Sequence, residues 1–282
     1  MTAYAKDVLV ETDWLAGHAN DPNVRVFEVD VDTAAYDQGH VAGAIGLNWK
    51  TDLQQHPVRD LIEKKQLEEL MSKSGVTPGT SIVAYGDNSN WFAAWFFWLL
   101  KYYGHKDVKL VNGGRAKWIA DKRPLSGDTP SYSKSEYRAG SPDASIRALR
   151  DYVLDKVVSG NKKIVDVRSP KEYAGELLAP ENLPQEGAQR GGHIPGAQNI
   201  PWATAVAEDG RFKSADELKS IYGAKGIDGR EETIAYCRIG ERSAHTWFVL
   251  RYLLGHDRVR NYDGSWTEWG SLIGVPIEEG AG

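Results

Sequence analysis

The stretch 83-VAYGDNSNWFAAWFFWLLKYYGHKDVKLVNGGRAKW-118 aligns without gaps with 234-IAYCRIGERSAHTWFVLRYLLGHDRVRNYDGSWTEW-269, at an offset of 151 residues. Ala84-Tyr85 meets Ala235-Tyr236, Gly104-His105 meets Gly255-His256, and Trp118 meets Trp269. Upstream, 39-GHVAGAIGLNW-49 matches 192-GHIPGAQNIPW-202, and Val29-Asp30 matches Val165-Asp166. A repeat of about 140 residues is too long for a solenoid unit and indicates a duplicated domain. The second copy is longer between its Asp and its His. The excess falls in 174-AGELLAPENLPQEGAQRG-191, where Pro, Gly and Glu predict a surface loop. The join falls in 126-SGDTPSYSKSEYRAGSPD-143, polar and rich in Ser, Gly and Pro. The expected organisation is one domain over 1–125, a linker over 126–143 and a second domain over 144–282.

Each copy alternates short β-like runs with helical runs. In the second copy the strand expectations are 163–167, 197–200, 233–236 and 259–262. The helix expectations there are 145–158, 215–222 and 243–254, the last stopped by Gly255. In the first copy, strands are expected at 24–29, 81–85 and 108–111, with a helix at 91–103. Alternating strands and helices imply an α/β fold, each domain a parallel sheet flanked by helices on both faces.

Hydrophobic residues at 41% and charged residues at 26% are ordinary globular values, enough to bury a core in each domain. A net charge of −5 with no Lys/Arg block argues against nucleic-acid binding as the main role. The apolar run Trp91–Leu100 is ten residues long, against the ~20 a membrane span needs, and reads as a buried helix. The N-terminal stretch MTAYAKDVLVETDW has no apolar signal segment. With a single cysteine and so no internal disulfide, it points to the cytoplasm. One cysteine and seven histidines show no zinc-like spacing, so no metal is expected.

That cysteine, Cys237, falls at the carboxyl end of a strand, just before a helix. In open α/β sheets this edge is where ligands bind. The turn's amides form a nest, the helix N-terminus adds partial positive charge, and Arg238 and Arg242 add formal charge. All three favour thiolate over thiol and predict a pKa below the usual ~8.5. The alternative is a buried cysteine acting as a small hydrophobe, which would need neither arginine. The catalytic reading requires a thiol that solvent reaches.

The loop CRIGER, the preceding GHIPGAQNIP and the duplicated α/β domain together resemble the tandem-domain rhodaneses, or thiosulfate sulfurtransferases. The closing NYDGSWTEWG and the opening WLAGH are similar to that group as well. The resemblance implies two tandem rhodanese-like domains. It also implies that the Cys237 thiolate attacks the outer sulfur of thiosulfate, releases sulfite, and holds a persulfide that cyanide or a thiol then takes. Arg242, with Arg238, would bind the donor. The amides from Ile239 through Gly240 and Glu241 to Ser243 would stabilise the persulfide. No cofactor is implied. Two positions depart from the mammalian pattern: a lysine is replaced by Ile239, and a substrate-contacting arginine aligns with Glu172. Glu241 is an unexpected acid beside an anion, facing outward or tuning which acceptor enters.

In the first copy Gly86 takes the place of Cys237, Asp87 that of Arg238 and Trp91 that of Arg242. That domain is therefore expected to be catalytically silent, with Trp91, Trp95 and Trp98 used for packing. His193 has its repeat partner, His40, in the copy without a nucleophile. A bracing role is favoured over a base, and Asp166 is treated likewise as support behind the active loop. Competing functions are a 3-mercaptopyruvate sulfurtransferase, whose loop is usually Gly/Ser-rich, and a cysteine phosphatase, whose loop carries one more residue between Cys and Arg. A third is a persulfide relay protein serving a protein partner. Neither nucleic acid nor membrane is expected as a partner.

Overall fold

The structure is a computed structural model that describes residues 3–160, 163–180 and 187–280. The chain divides into two compact units. One is Asp7–Asp143 with Glu208–Phe212; the other is Met1–Lys6, Ala144–Ala207 and Lys213–Gly282. No helix among the described residues is long and apolar enough to cross a membrane.

In the first unit, strands β1 (Leu9–Val10), β2 (Val24–Asp30), β3 (Ile45–Asn48), β4 (Ser81–Tyr85) and β5 (Val108–Val111) form one sheet. Its order is β1-β5-β4-β2-β3, with every pair parallel. β2 is buried at every position, as a central parallel strand covered on both faces must be. Asn88, Ser89 and Asn90 have left-handed backbone, so the regular helix begins at Trp91, where the apolar run begins. Trp95 lies 5.9 Å from Trp49, edge-on, and 5.7 Å from Trp98. These rings fill the unit's own core, where truncating one to Ala would cost about 3–5 kcal/mol. The stretch expected as a linker lies along this unit. Ser126 and His40 exchange backbone bonds, Tyr132 Oη donates to Gly43 O (2.6 Å), Ser135 N donates to Ser72 O (3.0 Å), and Tyr137 is buried.

In the second unit, β6 (Lys163–Asp166), β7 (Gln198–Asn199), β8 (Thr233–Tyr236) and β9 (Val259–Tyr262) form a parallel sheet in the order β7-β6-β8-β9. The helix expected over 243–254 opens two residues earlier, as Glu241–Phe248, and passes into a π-helical turn at Val249–Leu253. The helix expected over 145–158 is a 3₁₀ turn at Ala144–Ile146 followed by Arg150–Ser159. Within the expected surface loop 174–191, residues 181–186 lie outside the described residues.

The strand registers correct one feature of the repeat. Glu28 pairs with Tyr85 and Asp166 pairs with Tyr236, and these two tyrosines are repeat partners. Glu28, not Asp30, is therefore the counterpart of Asp166. Sequence alone matched the identical Val-Asp dipeptides and slipped by two residues. Both units build the same brace from these groups. In the first, Arg115 binds Glu28 at 2.8 Å, Tyr85 Oη donates to Glu28, and Val41 N donates to Tyr85 Oη at 3.0 Å. In the second, Arg168 binds Asp166 through Nε and Nη2, and Ile194 N donates to Tyr236 Oη at 3.1 Å. Arg168 also lies 4.5 Å over the Trp266 ring, and Trp266 stands where the first copy has Arg115.

Candidate active site

Cys237 follows β8 directly, and the loop from Arg238 to Gly240 leads into the helix Glu241–Phe248. Gly240 caps that helix with φ 100°. A Cβ there would sit 2.8 Å from Asp263 Cα, so both backbone and space require glycine. The parallel strand-to-helix turn after β9 holds the loop from the other side. Ser265 Oγ accepts from Cys237 N (3.0 Å), Trp266 N donates to Cys237 O (3.0 Å), and Thr267 N donates to Arg238 O (3.0 Å). Asn261 Nδ2 donates to Gly240 O (3.2 Å) and its Oδ1 accepts from Ser243 Oγ (2.6 Å). Arg147 clamps Asp263 at 2.9 and 3.0 Å. Ser265 itself takes φ 51°, a strained setting for a serine that aims its hydroxyl at this junction.

The sulfur accepts from Gly240 N at 3.1 Å and from the Ser243 amide, the latter pulling its pKa down. Ser243 Oγ lies 3.6 Å away. The thiol in turn donates to Glu241 Oε2 at 3.2 Å. Glu241 Oε1 faces Arg242 Nε at 3.4 Å. Arg242 makes a two-pronged pair with Glu172, both bonds 2.9 Å, between side chains 3% and 1% exposed. Glu172 is fixed by a capping box at the start of the helix Pro170–Ala174, where Ser169 and Glu172 bond each other's amides. Arg238 is buried in the same cluster, and burial lowers its pKa despite the nearby Glu241.

Two expectations are corrected here. The thiol has 0% exposure, so the solvent-reached sulfur that the catalytic reading calls for is not what the fold presents. Its pKa is raised, not lowered. Burial is the main cause and Glu241 adds to it, outweighing Arg242 and the Ser243 bonds. The sequence reading counted Arg238 and Arg242 as free positive charge. The fold sets Glu172 and Glu241 against them, so the cluster has little net charge to offer a thiolate. Burial alone would raise Glu172, yet its bonds from Arg242 hold it below the usual carboxylate range.

Of the two residues expected to brace the loop, Asp166 lies opposite Tyr236 on the strand beside β8, and His193 packs on Tyr173. Asp166 is fully buried under Arg168, whose Nη2 also donates to Gly192 O (2.7 Å). His193 stacks on Tyr173 at 3.6 Å, with Nδ1 on Tyr173 O (2.9 Å) and Nε2 facing Glu278 at 3.5 Å. His40 repeats the arrangement on Tyr36, at 3.9 Å with Nδ1 on Tyr36 O. Ile239 is buried in the loop. Sequence reasoning missed Ser265, Asn261 and the role of Glu172. The signal for Glu172 was 169-SPKE-172, a capping-box pattern with Pro at the first helical position. Among the described residues no group of three His, Cys, Asp or Glu is arranged to hold a metal.

The sequence profile of the family described as "Rhodanese-like domain" matches residues 11–121 and 149–272, one region in each copy of the repeat. The chain belongs to the rhodanese family. A relative in Saccharopolyspora erythraea, named "Putative thiosulfate sulfurtransferase", is 57% identical to this rhodanese over 97% of the chain and 96% of the relative. The "Sulfur carrier protein TtuD" of Thermus thermophilus is 54% identical over 97% of both chains. The crystal structure of SseA from Escherichia coli, described as a 3-mercaptopyruvate sulfotransferase, superposes with a TM-score of 0.79 at 26% identity. It matches 93% of this rhodanese and 99% of that chain. Sulfur transfer is the activity these relatives share by name.

Proposed function

We propose that this rhodanese is a thiosulfate sulfurtransferase that carries sulfane sulfur as a persulfide on Cys237 and passes it to cyanide or a thiol. One observation carries the reading. The only cysteine of the chain stands at the carboxyl edge of its sheet with the Gly240 and Ser243 amides on its sulfur. Those donors suit a sulfur anion as an oxyanion hole suits oxygen. Sγ attacks the outer sulfur of thiosulfate, the S–S bond to the sulfonate breaks, and sulfite leaves with the bonding pair. The acceptor then attacks the outer persulfide sulfur and Cys237 leaves. Neither step changes the total electron count, so no outside oxidant or reductant enters. Arg242 is the cation placed to meet the sulfonate oxygens once Glu172 yields it, and Arg238 lies in the same cluster. In the first unit Gly86 stands where the nucleophile would be, and the reading assigns catalysis to the second unit alone.

Intact mass measured after thiosulfate treatment tests this. The expected result is a gain of one sulfur atom, removed by cyanide and absent in Cys237→Ala. No gain at any thiosulfate concentration would mean the buried thiol is structural. A second reading, a carrier that delivers the persulfide to a protein, is supported by the Thermus thermophilus relative. Slow turnover with cyanide and small thiols, despite full sulfur loading, favours it. A 3-mercaptopyruvate sulfurtransferase is the remaining alternative, and steady-state rates with both donors decide it.

A further inference from the structure

We infer that Glu241 is a catalytic residue of this site, taking the thiol proton of Cys237 as the sulfur attacks its donor. The inference rests on the proposed persulfide chemistry and adds the fate of the proton. The thiol already donates to Glu241 Oε2 at 3.2 Å, and both side chains are sealed, at 0% and 1% exposure. Geometry for proton transfer is therefore in place before any substrate arrives. Charge makes the transfer necessary. A thiolate and a carboxylate this close, away from water, cannot both be ionised beside an incoming dianion without heavy cost. Moving the proton from sulfur to carboxylate leaves the net charge of the cluster unchanged. Releasing it to solvent does not.

The surroundings fit that role. Arg242 Nε faces the other oxygen, Oε1, at 3.4 Å, and so leaves Oε2 to the thiol. Arg242 is itself tied to Glu172 from the helix Pro170–Ala174, and Arg238 lies in the same cluster. From the turn after β9, Asp263 packs its backbone against Gly240, while its carboxylate is taken by Arg147. The Sγ–H bond breaks and an O–H bond forms on Glu241. Sγ bonds to the sulfane sulfur, and sulfite departs with the pair of the broken S–S bond. The second half-reaction returns the proton. A thiol acceptor bonds to the outer persulfide sulfur, which takes the acceptor's proton and departs with it as a hydropersulfide; the S–S bond to Cys237 breaks with its pair on Sγ, and Glu241 returns its proton to Sγ.

The test is the single-turnover rate of persulfide formation from thiosulfate against pH, for wild type and Glu241→Gln. With Glu241 as proton acceptor, the wild-type rate is flat between about pH 6 and 8, while the E241Q rate climbs about tenfold per pH unit because only thiolate formed by loss to solvent reacts. The profiles thus diverge by about a factor of ten for each unit below their crossing. Two parallel rising profiles, displaced but equal in slope, would overturn the inference and leave Glu241 an electrostatic neighbour only. Circular dichroism and melting establish that E241Q is folded. Glu241→Asp supplies a second variant, which retains a carboxylate and so keeps a flat segment at reduced rate. If wild type takes up no sulfur at all, the persulfide reading fails first, which separates the two failures.

Discussion

Replacing Glu172 by Gln leaves the Arg242 guanidinium buried opposite a neutral amide. The pair it breaks has two bonds of 2.9 Å between side chains that are 3% and 1% exposed. Removing one partner of such a pair costs about 3–5 kcal/mol, because the remaining charge stays out of water. A unit of this size loses roughly 2–4 °C of melting temperature per kcal/mol, so E172Q should melt on the order of 10 °C below wild type. The released guanidinium is also the cation proposed to meet a sulfonate. An anion that binds it returns stability, about 2.7 kcal/mol at a hundredfold excess over Kd. Sulfate, which cannot donate sulfur, serves as the probe. Calorimetric melts in chloride and in sulfate at matched ionic strength should show a large sulfate gain in E172Q and a small one in wild type. Equal melting of the two proteins would show that the pair contributes nothing net. A drop that sulfate does not recover would remove Arg242 from anion binding, and the proposed donor contact with it. The pair also sets an acid limit. Glu172 lies below its unfolded value of about 4.3, so its contribution is present above that pH and is lost as pH falls through the folded value. E172Q should lack that part of the acid dependence.

Further outcomes follow from the same geometry. Cys237 is held above the ordinary thiol pKa by burial and by Glu241, so iodoacetamide labelling should be slower at pH 7 than for an exposed cysteine; labelling as fast as that of an exposed cysteine would contradict the raised pKa. Gly240→Ala forces a left-handed cap and a contact with Asp263, and should cost about 1–3 kcal/mol in urea unfolding while slowing persulfide formation. An unchanged midpoint would show that the cap relaxes freely. In a Cys237→Ala background, Gly86→Cys should gain no sulfur from thiosulfate. A Cβ at position 86 would lie 2.5 Å from Val29 O and beside the Asp30 carboxylate, so the first unit has neither room nor charge for a nucleophile. A sulfur adduct there would refute its silence.

The fold was legible because its strands are short, apolar and repeated. β4, β8, β5 and β9 fall where alternation and the repeat place them. β1 and β3 were missed: Leu9–Val10 is only two residues long, and Ile45–Asn48 contains a glycine and an asparagine, so neither has a pattern to read. The slip between Asp30 and Glu28 has a related cause. Sequence aligns like with like, while the sheet aligns whatever faces the tyrosine that both copies share. An arginine two residues along the same strand edge does in the second unit what Arg115 does from the next helix in the first.

The position of Cys237 was legible and the state of its thiol was not, because position is local and charge is not. Arg238, Glu241 and Arg242 are neighbours in the sequence, and their charges could be counted there. Glu172 is 70 residues away from Arg242, and only the fold puts its carboxylate against that guanidinium. The loop reverses the remaining balance. Arg238 to Gly240, with Gly240 at φ 100°, turn the chain so that the first residue of the helix, Glu241, accepts from Sγ. A loop read as two cations around a thiol is, when folded, a sealed set of two cations, two carboxylates and a proton. In such a set burial and Glu241 favour the thiol over the thiolate, and the proposed chemistry therefore needs a group to take the proton; the Glu241 carboxylate, 3.2 Å from the sulfur, is the one we infer.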